Sequence, residues 1–453
     1  MESSSTLGPW APEGVNQRYR ALAARSADLA PEARLRHIGA LVEEQARWVD
    51  RECLNLNAAT NVQNPAVAAL VASGIGTRPS LGYPGDKYET GLGPGEELEV
   101  IASELARQVF RCAYAETRPL SGAMSNLAVF MATTRSGDVI FSLPPAAGGH
   151  ATHQPFAAPG LYGLDVRPIP ILTDEATATW HIDLDALTAE VEAARPRLII
   201  LGGSLAFAPY PIREVRAIAD RVGARVLFDA AHLSLLVAGE AFQQPLVEGA
   251  DVITSSTYKA LGGPPGGLIL TNDAALAQRL DAILYPGLTA NNDLGRVAAL
   301  TVCLNDLLVY GHEYAARCIE TAQALARALA AESLPVAGHA PDYTQTHHLA
   351  LDARRWNGGT RAARLLEPAN LLATGIGLPL PEVAGDQNGL RLGVQELVRW
   401  GMGPEEMPRV ARFIARILLH GEDAASLRAE VVAFRTGFQH MRYVVQSGKG
   451  DGI

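Results

Sequence analysis

Apolar positions along the chain change their period several times, and each change predicts a different element. Over residues 14–53, GVNQRYRALAARSADLAPEARLRHIGALVEEQARWVDREC, apolar residues recur at helical spacing among dense charges. That pattern predicts amphipathic helices interrupted near Pro31. From about 54 to 95 the periodicity dissolves into LNLNAATNVQNPAV and GIGTRPSLGYPGDKYETGLGPGEE. Glycine and proline at this density predict long ordered loops, the kind that often line a site. From Glu96 to about 330, short apolar runs alternate with helical stretches. DVIFSL, PRLIILGG, ARVLFDAA, ADVITSST and GGLILT predict strands, while PIREVRAIADRVG and the stretch after Ser121 predict helices between them. Alternation of this kind predicts an α/β fold with a mainly parallel sheet covered by helices on both faces. Residues 292–332 predict one long helix or a helix pair. A second α/β unit is expected over about 335–440, with HHLALDAR as a strand and EEMPRVARFIARILL as a helix. The resulting division is an N-terminal helical arm (1–75), a large domain (76–310) and a smaller C-terminal domain (311–453), with SGKGDGI expected as a flexible tail.

Composition narrows the class. The chain has 453 residues, 48% hydrophobic and 19% charged, enough to bury a sizeable core. A formal net charge of −10 argues against a nucleic-acid partner, which needs a basic face. Cys53, Cys112, Cys303 and Cys318 are far apart and show no metal-ligand spacing, so reduced core thiols and no metal site are expected. The opening MESSSTLGPWAPEG lacks the basic and apolar regions of a secretory signal, and no uninterrupted apolar run of about 20 residues suggests a membrane span. The expectation is a soluble, cytoplasmic protein with no membrane partner.

Polar residues at the carboxyl ends of the expected strands carry the chemistry, because ligands gather there in open α/β sheets. FDAAH supplies Asp229 and His232, SSTYK supplies Lys259, the glycine turn GGHATH supplies His150 and His153, and LSGAMSN supplies Ser121 and Gly122. Each alone has a plainer explanation: a lysine reaching water, a capping aspartate, a loop histidine, an ordinary helix start. The glycine-rich GxGxxG and GxxxxGKS phosphate motifs are absent. Together, however, the residues suit an aldehyde cofactor held as a Schiff base. Such a cofactor needs a lysine that can lose its proton. Pyridoxal 5′-phosphate adds a need for a carboxylate at its ring nitrogen, N–H donors and hydroxyls for its phosphate, and a flat group over its ring. Lys259, Asp229, Ser121 with Gly122, and His150 fill these four roles.

DAAH at 229–232, SSTYK with its GGPPGG loop, SGAMSN (121–126), GGHATH (148–153), GYPGDKY (82–88) and GLRLG (389–393) stand in one order. In order and spacing they resemble the serine hydroxymethyltransferase family over about residues 55–405. The resemblance implies the fold-type-I architecture of pyridoxal-phosphate transferases, with a seven-stranded mainly parallel sheet and a smaller C-terminal α/β domain. It implies that Lys259 forms the Schiff base, Asp229 pairs with the pyridine nitrogen, His150 stacks on the ring, and His232 lies near the phenolic oxygen. Ser121 and Gly122 would hold the phosphate, with Gly263 approaching from a partner subunit. Ser256 would assist exchange at the lysine. Arg391 would grip the substrate carboxylate, a bidentate task suited to arginine, and Tyr83 and Tyr88 would join it in substrate binding. By the same resemblance, Gly263 and the 76–95 loop imply a homodimer or tetramer with shared active sites.

Departures from the family pattern bear on the reaction. Where the family usually reads YAEGYPG this chain reads PSLGYPG, so Pro79 replaces a tyrosine and Leu81 a glutamate that handles protons in folate-linked transfer. The tyrosine pair that follows is Tyr88–Glu89. IGLPLPE (376–382) aligns with a loop whose asparagine contacts folate, and Tyr258 and Pro265 replace a histidine and an arginine beside the lysine. The cofactor half is kept and the folate half rewritten. The resemblance then implies aldol-type cleavage or formation of the Cα–Cβ bond of a β-hydroxy-α-amino acid without tetrahydrofolate. L-threonine or L-serine would yield glycine, with its aldehyde released or passed to another aldehyde, as in threonine aldolases and transaldolases. The alternative is a tetrahydrofolate-dependent hydroxymethyltransferase acting on serine or an α-substituted serine, with Glu89, Glu96 or Glu97 as acid/base. A third reading is a cofactor-binding homologue without turnover.

Overall fold

The computed structural model describes residues 6–446, so the expected SGKGDGI tail lies outside the described residues. By its contacts the chain divides into two compact units, 1–53 and 54–453. The first holds helices Glu13–Ala23 and Pro31–Ala46. Pro31 stands at the first position of the second helix, where its fixed φ is preorganised and its missing N–H has no intrahelical role. Residues 54–75, expected in the arm, belong to the second unit. There Leu54–Asn55 pairs in parallel with Leu371–Leu372.

The second unit is organised around a seven-stranded sheet. Its strands are β1 (Tyr114–Glu116), β2 (Val139–Ser142), β3 (Asp165–Pro168), β4 (Leu198–Gly202), β5 (Arg225–Asp229), β6 (Val252–Ser256) and β7 (Gly267–Thr271). They lie in the order β1-β7-β6-β5-β4-β2-β3. The β6–β7 and β7–β1 pairs are antiparallel and the other four are parallel. Side chains explain why the central strands read as unbroken apolar runs. Leu198, Ile200, Leu227, Val252 and Ile269 join one buried cluster, whereas Ile199, Leu201, Val226, Phe228, Ile253 and Leu268 join another. Successive residues thus face opposite layers, and both layers are covered. Helices Gly122–Thr133 and Ala274–Ala282 supply the first cluster, and helices Leu184–Ala194, Ile212–Asp220 and Leu294–Ala331 the second. Burying each of these leucines or isoleucines contributes roughly 1.5–3 kcal/mol.

All five strands expected from the large-domain sequence are present. The two unforeseen ones, β1 and β3, are short, sit at the sheet edges and are largely unburied, so they leave no apolar run to detect. Residues 292–332 form a single helix, Leu294–Ala331, started by the Asp293 side chain accepting from the Arg296 N–H. Among the described helices it alone is long and apolar enough to cross a membrane, and 67% of its apolar window is buried inside the protein. Beyond it lies a three-stranded antiparallel sheet of β8 (His348–Asp352), β9 (Thr374–Ile376) and β10 (Gly389–Gly393), with β10 central. Register sets Ala350, Arg391 and Thr374 side by side. Helix Met407–Leu418 follows, where EEMPRVARFIARILL is expected to be helical.

Candidate active site

Register aligns the carboxyl ends of β4, β5 and β6, with Gly202 opposite Asp229 and Asp229 opposite Thr254. The chain leaves β6 at Ser256 and must reverse into antiparallel β7 at Gly267. The intervening loop closes on itself. Thr257 N–H donates to Gly266 O, Gly263 N–H donates to Thr257 O, and the Thr257 hydroxyl donates to Pro264 O. Gly262 has φ +76°, and a Cβ there would fall 2.0 Å from Nη1 of buried Arg399, so this turn requires glycine. Asn61 Nδ2 donates to Ala260 O and Gln63 Nε2 to Gly263 O, fixing the loop from a second side. Lys259 therefore projects from a rigid turn. Only 5% of its surface is exposed, and its Nζ lies 3.2 Å from His232 Nε2.

Burial of Lys259, opposed by Asp229 and reinforced by Arg391, brings its amine down to about 8. A usable share of neutral amine then exists near neutral pH. Burial first, and then the positive charges of Lys259 and Arg391, hold His232 well below the ordinary imidazole range. Neutral His232 accepts from the lysine at Nε2, which leaves the proton on Nδ1. That Nδ1 is buried and meets no partner among the described residues, which leaves it able to donate to a bound group.

Asp229 is 3% exposed yet ionised. Burial alone would raise its carboxyl. The hydrogen bond and charge of His153, together with His150 and Lys259, hold it well below the usual carboxylate range. His153 Nε2 lies 2.9 Å from Asp229 Oδ2, Asn126 Nδ2 donates to the same oxygen at 2.9 Å, and Ala231 N–H donates to Oδ1 at 2.8 Å. Thr254 donates to Asn126 Oδ1 at 2.6 Å, which fixes the amide with its nitrogen toward the carboxylate. His150 Nδ1 accepts from Thr152 N–H at 3.2 Å and meets Thr152 Oγ1 at 2.6 Å. Burial lowers His150 to about 4, so the ring is neutral and its proton sits on Nε2.

Ser121 caps helix Gly122–Thr133, its Oγ accepting from Met124 N–H at 3.1 Å. Helix geometry leaves the N–H groups of Gly122 and Ala123 without intrahelical acceptors, a natural anion site. A Cβ on Gly122 would stand 2.4 Å from Ser256 Oγ, so the hydroxyl at the end of β6 touches the start of this helix. Arg391, on β10, reaches across to the large sheet. Its Nη1 donates to Ser204 O at 2.6 Å and Nη2 to Thr374 Oγ1 at 3.2 Å. Nε is buried and unpartnered, which leaves the Nε edge for a carboxylate. Burial lowers this guanidinium to about 10, still charged at neutral pH.

The donor set fits pyridoxal 5′-phosphate on its own terms: an amine able to lose its proton, an ionised carboxylate, an unpartnered imidazole N–H, and a helix start lined by hydroxyls. Comparison with known proteins agrees. The serine hydroxymethyltransferase family model matches residues 36–414. The chain belongs to the serine hydroxymethyltransferase family. It is 54% identical over 437 residues to an alpha-methylserine aldolase of Variovorax paradoxus, covering 96% of this chain and 98% of that one. An alpha-methylserine aldolase of a Ralstonia species is 48% identical, over 96% and 99%. A serine hydroxymethyltransferase of Pyrobaculum calidifontis is 40% identical, over 88% and 91%. Membership of this serine hydroxymethyltransferase family makes the protein a pyridoxal-phosphate-dependent enzyme of the aldolase or transferase type.

Lys259, Asp229, His150, His232, Ser256, Ser121, Gly122 and Arg391 are thus gathered within one chain. Three expected residues are not. Gly263, expected to act toward a partner subunit, is buried in this chain with its N–H bound to Thr257 O and its carbonyl accepting from Gln63. Tyr83 stands half exposed and donates to Asp281 at 2.5 Å, and Tyr88 is 84% exposed. Neither tyrosine hydrogen-bonds or stacks with the Lys259 group among the described residues. His153 and Asn126 hold Asp229, and Thr254 fixes Asn126, roles that the sequence motifs do not announce. The first two lie inside the quoted motifs GGHATH and SGAMSN, but only the fold aims them at the carboxylate.

The rewritten loop has its own logic. Leu378 and Leu380 are buried against Leu205, Ala350 and partly buried Phe207. Asn388 satisfies their backbone, accepting from Leu378 N–H at 2.7 Å and donating to Leu378 O and Leu380 O at 2.9 and 2.8 Å. Asn388→Ala is expected to destabilise the protein by about 1–3 kcal/mol, because buried backbone groups lose their partners. Thermal unfolding measures this, and an unchanged midpoint would show that the loop does not depend on Asn388.

Proposed function

We propose that this enzyme cleaves and forms the Cα–Cβ bond of a β-hydroxy-α-amino acid without tetrahydrofolate, and that its substrate class is α-methyl-substituted serine. The observation that carries the folate-free reading is the 376–382 loop. Where the family resemblance expects a folate-contacting asparagine, leucines fold into an apolar cluster whose backbone is already satisfied by Asn388. Leu81, in place of a glutamate, agrees. The α-methyl class rests on the likeness to proteins described as alpha-methylserine aldolases.

The cofactor, when bound, supplies an electron sink for the pair released as the Cα–Cβ bond breaks. Lys259 would hold its aldehyde carbon, Asp229 its ring nitrogen, the Gly122 helix start with Ser121 its phosphate, and His232 Nδ1–H its phenolic oxygen, with Ser256 assisting exchange at the lysine. Arg391 binds the substrate carboxylate through its free edge and so sets which bond at Cα stands perpendicular to the ring. In the cleavage the β-hydroxyl loses its proton as its carbon becomes the carbonyl of formaldehyde. Cα gains a proton, and α-methylserine becomes alanine. Two copies share their sites in this reading, with Tyr83 and Tyr88 on the exposed 80–89 loop serving the partner. The three-stranded sheet and its helices act as the smaller C-terminal domain.

A second reading is favoured by one contact. Glu89 Oε2 accepts the N–H of Leu81 at 3.1 Å, returning a carboxylate to the place of the missing glutamate. That arrangement suits a tetrahydrofolate-dependent hydroxymethyltransferase. Incubation of the enzyme with α-methylserine, with formaldehyde and alanine measured together, separates the two. Equal release with and without tetrahydrofolate is expected, and a strict requirement for it overturns the folate-free reading.

A further inference from the structure

Residues 442–445, near the end of the described chain, have no role in the arrangement above, yet they are fixed more firmly than a chain end needs. Arg442 N–H donates to Arg399 O at 2.7 Å, and Val445 N–H donates to Asp306 Oδ1 at 2.7 Å. Between them Tyr443 adopts φ +58°, in the left-handed region that a bulky residue rarely enters. Such a conformation persists only where its surroundings impose it. Here the ring is laid flat on that of Tyr314, with centroids 5.0 Å apart and planes 17° from parallel.

What lies beneath that stack leads to the reactive lysine by direct contacts. Tyr314 is buried on helix Leu294–Ala331, and its hydroxyl donates to Gln395 O at 2.7 Å. The same oxygen accepts from Asn61 Nδ2 at 2.9 Å, and Asn61 Nδ2 also donates to Ala260 O at 2.9 Å. Ala260 directly follows Lys259. One side-chain amide thus joins the Tyr314 hydroxyl to the backbone of the lysine turn. A second route runs beside it. Buried Asp306, which receives the Val445 N–H, also accepts from Asn64 Nδ2 at 2.9 Å and lies 3.4 Å from Arg399 Nη2. The Arg399 guanidinium sits 5.8 Å from the centre of the Tyr314 ring and packs against Gly262 of the lysine turn. Asn61 and Asn64 belong to one short segment, whose Gln63 holds Gly263 O. Tyr443 and Val445 therefore close the outer side of a packed group whose inner side is the turn of Lys259.

We propose that the 442–445 segment is a strap that places the Lys259 amine, and that Tyr443 is a positioning residue for the bond between Nζ and the cofactor's aldehyde carbon. As that bond forms, the neutral amine adds to the aldehyde carbon and water leaves. Its rate therefore depends on where the turn holds Nζ. Without the Tyr443 ring, Tyr314 loses the surface that fixes its outer face. Asn61 then shares a hydroxyl that is free to shift, and the Ala260 carbonyl shifts with it. The inference rests on Lys259 as the residue that links the cofactor, and it holds whichever amino acid the enzyme cleaves.

The measurement mixes cofactor-free full-length protein with pyridoxal 5′-phosphate and follows the rise of the lysine-linked absorbance. In parallel, calorimetry measures the affinity for pyridoxine 5′-phosphate, which keeps the ring and phosphate but has an alcohol in place of the aldehyde. Tyr443→Ala is expected to slow the linkage by roughly 3–10-fold, the scale of a lost aromatic pair, with pyridoxine 5′-phosphate affinity unchanged. Tyr443→Phe keeps the ring and is expected to match the wild type. Val445→Pro removes the N–H held by Asp306 while leaving both tyrosines, and it is expected to slow the linkage as Tyr443→Ala does. Equal weakening toward both compounds assigns the strap a structural role and overturns the proposal. An unchanged linkage rate overturns it too, as does a Tyr443→Phe variant as slow as Tyr443→Ala. A wild type that never develops the lysine-linked absorbance removes the assignment of Lys259 and the strap with it, a result distinct from a normal wild type with indifferent variants.

Discussion

Lys259→Ala is expected to purify without the visible absorbance of lysine-linked cofactor and to turn over at least roughly 10³-fold more slowly than the wild type, the scale of a lost covalent catalyst. The loss is chemical and not a failure to fold. The turn carrying Lys259 is held by its own glycines and by Asn61 and Gln63, none of which bonds to the lysine amine. Stability gives an independent check with a definite sign. The folded lysine releases its proton near 8, below the ordinary lysine range, so the folded protein binds fewer protons than the unfolded chain above that value. This group therefore costs stability at neutral pH, and the cost is relieved as pH rises from about 8 toward the unfolded value. Cofactor-free Lys259→Ala escapes the cost altogether. It is expected to melt no lower than cofactor-free wild type at neutral pH, with the gap narrowing in alkali. A wild-type cofactor spectrum in the variant would sink the assignment of Lys259.

What the sequence makes legible follows from how local each signal is. The buried strands read clearly because both faces are covered, which makes LIILG a continuous apolar run whatever surrounds it. Lys259, Asp229 and Arg391 were recognisable because each sits in a short motif with fixed neighbours. Edge strands β1 and β3 carry no such run. The supports of the site are long-range: Asn126 and Asp229 are 103 positions apart, and Arg391 and Ser204 are 187 apart. No periodicity encodes such meetings. Gly263 shows what a motif match leaves unsaid: its expected role is toward a partner subunit, while within one chain its N–H is bound to Thr257. Tyr83 and Tyr88 lie in a matching motif, but within one chain their loop is held by Glu99, which pairs with Lys87 and accepts from Ser80.

Asp229→Asn is expected to reduce turnover by roughly 10³-fold and to weaken cofactor binding, because a fixed charge in a dry site is among the largest contributions a residue makes to catalysis. The carboxylate accepts from His153, Asn126 and Ala231, so all the surrounding protein groups are donors. An asparagine offers one oxygen and an NH2, and whichever way it turns, the NH2 meets a donor. At least one buried partner is left unpaired, which adds a stability loss of about 1–3 kcal/mol. The pH dependence separates the lost charge from general damage. Asp229 titrates well below the usual carboxylate range, so its contribution is complete above the unfolded carboxylate value and disappears only as pH falls through the depressed folded one. The ratio of wild-type to variant activity is therefore expected to stay flat over roughly pH 5–7, below the Lys259 amine that Asp229 helps hold at about 8. The stability gap is expected to shrink as pH falls only in strong acid. A ratio that varies across the neutral range points to a different titrating group, and near-normal turnover in the variant removes Asp229 from the ring nitrogen.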